Sequence, residues 1–233
     1  MTMIEAKLQA VRARIETACL AAGRSPGSVQ LLAVSKTFGP EAVAQAFTAG
    51  QTAFGENYIA EAVHKIKALA SLPIEWHCIG PVQSNKTRLV AEHFAWVQSV
   101  DRLKIAQRLS EQRPAHLPPL NVCLQINVDG GANKSGVTPA EVLTLAQEVA
   151  ALPNLKLRGL MCIPEPAPDF ASACAVFSRA KALFDELNLA GLALDTLSMG
   201  MSNDLEAAIH VGSTMVRVGT SVFGGRTPAP DAA

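Results

Sequence analysis

Eight short runs rich in apolar and β-branched residues alternate along this chain with eight longer segments whose apolar residues recur every three or four positions. The short runs cover 29–34, 52–54, 75–79, 96–100, 120–128, 155–163, 196–199 and 214–218. The long segments cover 4–22, 40–49, 59–70, 86–93, 101–112, 139–151, 170–189 and 205–210. Near-continuous apolarity marks strands covered on both faces, and the wider spacing marks amphipathic helices. The alternation is therefore that of a parallel sheet made of βα units. Eight strands behind a leading helix predict an α/β fold, a single (β/α)8 TIM barrel with an extra N-terminal helix. A doubly wound open sheet is the alternative.

Local signals agree with this reading. Thr138-Pro139 followed by Glu141 reads as an N-cap with proline at the first helical position. Asp101 reads as the opening of another helix, and Gly23 as the stop of the first. The proline-rich pieces at 113–119 and 164–168 are short enough to be barrel loops, so no linker divides the chain. Residues 1–233 are read as one domain, with 227–233 a proline- and alanine-rich tail expected to be disordered.

Composition narrows the function classes. The 233 residues carry 20 Lys plus Arg and 20 Asp plus Glu, a net charge of +0, with 49% hydrophobic and 17% charged residues. That excludes a disordered chain and leaves no basic footprint for nucleic acid. Cys19, Cys78, Cys123, Cys162 and Cys174 are odd in number and contain no C-x-x-C pair, which argues against a disulfide framework and for a reducing compartment. The N-terminal segment lacks the unbroken apolar stretch of a secretory signal, and no apolar run approaches the roughly 18 residues of a membrane span. The expectation is a soluble, cytoplasmic protein with neither nucleic acid nor membrane as partner.

In a barrel of this kind the chemistry gathers where strands end and βα loops begin. The first exit reads Val34-Ser35-Lys36-Thr37. A lysine there is either a partly desolvated amine suited to imine formation or a side chain that snorkels to solvent, and position alone favours the second. Asn57 after the second strand orients a ligand or, more simply, caps the next helix. His77, in a third run leading into Gly80-Pro81-Val82-Gln83-Ser84-Asn85-Lys86, reads first as a satisfied core histidine. Lys134 follows a glycine turn at the fifth exit and either reaches an anion or stays solvated. The seventh exit, Met199-Gly200-Met201-Ser202, and the eighth, Arg217-Val218-Gly219-Thr220, bring small residues and hydroxyls to helix starts. Loops after strands 7 and 8 of such barrels often grip phosphate. With an early strand-end lysine they point to a phosphorylated carbonyl compound, and pyridoxal 5′-phosphate is the obvious candidate. Arg217, facing a pyridine nitrogen, would keep it unprotonated; a salt bridge across the barrel is an equal reading.

With these residues in view the chain resembles the pyridoxal phosphate homeostasis protein family. The matching stretches are Ala33-Val34-Ser35-Lys36, Phe54-Gly55-Glu56-Asn57, 76–86, Lys134-Ser135-Gly136, Leu157-Arg158-Gly159-Leu160-Met161, 197–204, and Val216-Arg217-Val218-Gly219-Thr220 with Phe223-Gly224. They are spread, in family order, over nearly the whole length. The resemblance implies the fold type III barrel of alanine racemase, with pyridoxal phosphate held as a Schiff base on Lys36. It implies phosphate contacts at Gly200, Met201 and Ser202 and at Gly219 and Thr220, and Arg217 facing the pyridine nitrogen. Asn57, His77 and Met199 become pocket neighbours, and Lys134 a basic residue near the phenolic oxygen.

Three departures from the family pattern stand out: Cys78 in place of the usual aromatic, Phe38 where lysine is common, and a chain that stops soon after Arg226, where alanine racemases continue into a domain that delivers a tyrosine. Tyr58 is the only tyrosine and lies in the wrong place for that role. Racemisation needs an acid and a base on opposite faces of the cofactor, and Lys36 serves one face only. The expected function is intracellular pyridoxal phosphate homeostasis without robust catalysis, by a monomer that binds B6 vitamers and hands the cofactor to apo-enzymes. A minimal amino-acid racemase is the alternative.

Overall fold

The computed structural model describes residues 2–130 and 135–225, so Lys134 and the tail at 227–233 lie outside the described residues. Helix α1 (Met3–Ala21) comes first. Then follow β1 (Gln30–Val34), α2 (Pro40–Thr48), β2 (Ala53–Glu56), α3 (Ile59–Ala68), β3 (Glu75–Cys78) and α4 (Thr87–His93). The second half runs β4 (Trp96–Val100), α5 (Leu103–Gln112), β5 (Leu120–Gln125), α6 (Val142–Ala150), β6 (Leu155–Met161), α7 (Phe170–Leu189), β7 (Thr196–Ser198), α8 (Leu205–Val211), β8 (Met215–Val218) and the single turn α9 (Thr220–Phe223). The strands close in sequence order into a parallel barrel, with β8 pairing back on β1. Closure decides against the doubly wound sheet.

The strands are buried on both faces, which is why they read as apolar runs rather than as alternations. Leu32, Val34, Ala53, Ile79 and Met215 pack with one another inside the barrel. The alternate residues Leu31, Ala33, Phe54, Val216 and Val218 join the larger core between sheet and helices. Helix α1 lays Leu8, Val11, Ile15, Ala18 and Cys19 on that core. Each large side chain buried this way contributes about 1.5–3 kcal/mol. A capping box between Thr2 and Glu5 starts α1. Gly23, at φ 67°, ends it, with Arg24 N–H donating to Cys19 O at 2.8 Å and Gly23 N–H to Leu20 O at 3.0 Å, a Schellman closure.

Two expected helix starts differ. Asp101 does not cap α5; it lies 3.8 Å from the Arg102 guanidinium, and Arg102 holds the N-cap position. Thr138 donates its hydroxyl to Glu141 Oε2 at 2.5 Å, closing a turn ahead of α6, which begins at Val142. Both cap-type side chains take a nearby charged partner instead of a helix N–H. Strands β5 and β6 also stop short of their apolar runs: Ile126 and Val128 are buried without continuing the ladder between named strands.

Candidate functional site

The site begins with strand parity. Leu32 and Val34 lie on the inner face of β1, and Lys36, in the turn directly after the strand, lines the cavity at the barrel mouth. The residues around it are locked. Ser35 is buried and donates its hydroxyl to Glu56 Oε1 at 2.5 Å. Lys65 of α3, only 2% exposed, donates to Ser35 O at 2.8 Å and ion-pairs with Glu56 at 2.7 Å and Glu61 at 2.6 Å. Glu61 in turn accepts the Thr37 N–H at 2.7 Å. Thr37 has φ 70°, a left-handed conformation that a β-branched residue adopts only when its surroundings hold it there. Burial pushes the Glu56 carboxyl above its usual range, against the Lys65 and Ser35 donors that pull it down. Phe38 stacks on Phe223 of α9 with ring centroids 5.1 Å apart, tying the loop after Lys36 to the last helical turn.

The other half of the site comes from the end of the chain. Arg217 on β8 lies opposite Leu32 of β1, so its side chain is also on the inner face. It is 4% exposed, and its two terminal nitrogens donate to Ser198 Oγ at 2.7 Å and Cys162 O at 2.8 Å. Among the described residues no carboxylate ion-pairs with it, and burial pulls its pKa down. The backbone after β7 turns at Gly200, φ 94°, whose carbonyl accepts the Arg217 N–H at 2.9 Å. A Cβ there would stand 2.5 Å from the Ala208 methyl, so the turn needs glycine. Met201 N–H donates to Asp204 Oδ1 at 2.6 Å, shaping the loop that enters α8. Gly219 lies against the Val34 carbonyl and leads into α9.

These pieces enclose a cavity of about 510 Å³ at the C-terminal face of the barrel, within the range of small-molecule sites. Lys36, Asn57, Met201, Ser202, Arg217, Gly219 and Thr220 line it, together with Val34, Ile79, Ile163, Pro166, Asn203, Asp204 and Ser221. Asn57 does not cap α3, whose N-cap is Tyr58; its Oδ1 is covered and has no hydrogen-bond partner among the described residues. Gly80 runs over the Asn57 backbone so closely that a Cβ would meet its carbonyl oxygen at 2.2 Å. A second hollow, about 570 Å³, lies on the outside between α1, α8 and the start of α7, away from every strand end.

Three expected residues are not in the cavity wall. Gly200 shapes the turn behind it, and Met199 is fully buried in the core outside the barrel. His77 lies deeper in the barrel, fully buried, 2.9 Å from both Glu75 and Gln98 and stacked on Trp96 at 5.0 Å. Burial pulls its pKa down, against the Glu75 carboxylate, which pulls it up. Lys134 lies outside the described residues. Cys78, where an aromatic was expected, is buried with its thiol pushed up to about 12, which makes it inert. Among the described residues no cluster of His, Cys, Asp and Glu is arranged to hold a metal, and no helix is long and apolar enough to cross a membrane.

A family model described as alanine racemase, N-terminal domain, matches residues 6–227. The pyridoxal phosphate homeostasis protein of Pseudomonas aeruginosa is 60% identical over 226 residues, covering 97% of each chain. The chain belongs to the pyridoxal phosphate homeostasis protein family. A solved structure of a relative, PipY of Synechococcus elongatus PCC7942 with PLP bound, superposes with a TM-score of 0.83 at 36% identity, over 95% of this chain and 100% of PipY. The alanine racemase of Clostridium difficile 630 shares the barrel, with a TM-score of 0.69 at 18% identity, and this chain spans 54% of its length. The family and the barrel type expected from the motifs are both met.

Proposed function

We propose that this protein binds pyridoxal 5′-phosphate in the cavity between the ends of β1, β7 and β8, anchors it on Lys36, and serves cofactor homeostasis without robust catalysis. The observation that carries the reading is the pairing of a strand-end lysine with a buried guanidinium on one cavity, floored by two hydroxyl-bearing turns. The donor set fits the group. The Ser202 and Thr220 hydroxyls and the backbone of the Gly200 and Gly219 turns suit a phosphate. Arg217 has five N–H donors, of which two are committed to Ser198 and Cys162.

When bound, pyridoxal phosphate supplies an aldehyde that condenses reversibly with amines. Lys36 provides the amine, and the Glu56–Lys65–Glu61 cluster behind it holds the backbone that aims it. Arg217, a donor only, would hold the ring nitrogen of the cofactor unprotonated and so would weaken the electron sink that most carbanion chemistry on this cofactor uses. Of the described cavity-lining side chains only Lys36, Asp204 and Arg217 are titratable. Asp204 is committed to the Met201 N–H, and a guanidinium does not give up its proton. Among the described lining residues Lys36 is then the principal proton-transfer group, where racemisation needs two on opposite faces of the cofactor. We take the protein as a cytoplasmic monomer whose partners are B6 vitamers and apo-enzymes that need the cofactor; its cysteines are free thiols, in keeping with a reducing compartment.

Borohydride reduction of the purified, pyridoxal phosphate-loaded protein, followed by peptide mass mapping, tests the anchor. A pyridoxyl adduct on the Lys36 peptide is expected; an adduct elsewhere, or none, overturns the reading. Incubation with each amino-acid enantiomer in deuterated water tests the absence of catalysis, and α-proton exchange at an ordinary enzyme rate would contradict it.

A further inference from the structure

Beneath the cavity, side chains from four strands form a single file through the barrel. Arg217 on β8 donates to Ser198 Oγ on β7 at 2.7 Å, and Ser198 donates to Gln98 Oε1 on β4 at 2.7 Å. The Gln98 amide nitrogen meets His77 Nδ1 on β3 at 2.9 Å, and His77 Nε2 meets Glu75 Oε1 at 2.9 Å. The first four side chains are buried, while that of Glu75 is 41% exposed at the opposite end of the barrel. The second Gln98 amide hydrogen is directed at Met215 Sδ, 3.1 Å away.

The Glu75 end dictates the direction of the file when His77 is neutral. A carboxylate only accepts, so His77 must carry its proton on Nε2. Nδ1 is then an acceptor, and the Gln98 amide must turn its nitrogen towards it and its oxygen towards Ser198. The hydroxyl of Ser198 donates to that oxygen and keeps a lone pair for Arg217, which only donates. Each bond runs away from the cavity. With His77 neutral, reversing the Gln98 amide would set two acceptors against each other at His77 Nδ1, whereas the Ser198 hydroxyl can serve either orientation.

We propose that Gln98 is a positioning residue of this site: it orders the file and thereby fixes Ser198 and the Arg217 guanidinium at the cavity floor, with Glu75 as the remote counter-charge. Arg217 has no carboxylate partner among the described residues, so the file, together with the Cys162 carbonyl, is what holds a buried cation in one orientation at the cavity floor. The consequence for the ligand rests on the pyridoxal phosphate reading; the direction of the file needs no ligand.

Nitrogen-15 NMR of histidine-labelled wild-type protein tests the direction. His77 is expected to be neutral near pH 7, with its proton on Nε2. A proton on Nδ1 at that pH overturns the proposal. Gln98→Glu places a second carboxylate against the ring, and His77 should then be protonated on both nitrogens; an imidazole that stays neutral counts against the file. In Gln98→Leu, the affinity for pyridoxal, which lacks the phosphate, should fall roughly tenfold, about the worth of one hydrogen bond, and the visible absorbance of the loaded protein should shift. Binding of inorganic phosphate should not change. Unchanged pyridoxal affinity and absorbance in that variant overturn the positioning role. If Gln98→Leu does not fold, the Gln98→Glu spectrum decides. A wild type with the Nε2–H signature that takes up no pyridoxal phosphate overturns the cofactor reading and leaves the file standing.

Discussion

Lys65 donates its ammonium to the carbonyl oxygen of Ser35, the residue immediately before Lys36. A charge on a neighbouring helix thus reaches under the strand end and grips the backbone that carries the amine. The same ammonium neutralises Glu56, whose second oxygen is buried without a partner among the described residues.

Replacing Lys65 by Met leaves Glu56 enclosed and uncompensated. Removing one partner of such a pair costs about 3–5 kcal/mol. Urea unfolding of Lys65→Met should show a loss of that order, and the double variant with Glu56→Gln should recover a large part of it. Equal losses in the single and double variants would show that the pair is not coupled.

Gly200→Ala brings in both a left-handed strain and a methyl group 2.5 Å from the Ala208 methyl. A stability loss of about 1–3 kcal/mol is expected, together with weaker binding of pyridoxal phosphate, because the Met201–Asp204 turn has to move. Ligand titration and thermal unfolding of the one variant read both effects.

Stability should fall with acid below about pH 6.5 through His77. Burial depresses its folded pKa, so on acidification the unfolded chain takes up the proton first. The contribution is fully present above the unfolded value and is lost as pH falls through the folded one. The slope attributable to this residue is at most about 1.4 kcal/mol per pH unit. Denaturant melts of wild type and His77→Gln across that range should diverge, the variant being flatter.

Lys36→Ala should be colourless after purification where the wild type is yellow, and should keep measurable affinity for pyridoxal phosphate through the Gly200 and Gly219 turns. Absorbance separates the anchor from the grip. A yellow Lys36→Ala protein would move the anchor to another lysine.

The architecture was readable because each barrel strand is covered on both sides and so leaves a plain apolar run between helical segments. Lys36 and the Gly200 and Gly219 turns were readable for a related reason: charged or small residues directly after such runs mark strand exits, while Arg217 stood out as a charge inside the last run. His77 was placed one layer too high, since a sequence does not show how deep along the barrel a residue lies. Lys65 escaped notice because a lysine in an amphipathic helix resembles a solvated face until the fold turns it inward beside Glu56. Ser198 and Gln98 look like ordinary polar interruptions of a strand, and only the barrel register brings them into one file. Asn57 read as a cap for the same reason as Asp101 and Thr138: side-chain type announces what a residue can bond, while the fold decides which partner is nearest.

The seam between β1 and β8 has a consequence for biosynthesis. Lys36 emerges from the ribosome long before Arg217, and the sheet does not join their strands until β8 docks beside β1. The two rims of the cavity that carry Lys36 and Arg217 are thus brought together abruptly, with closure of the ring.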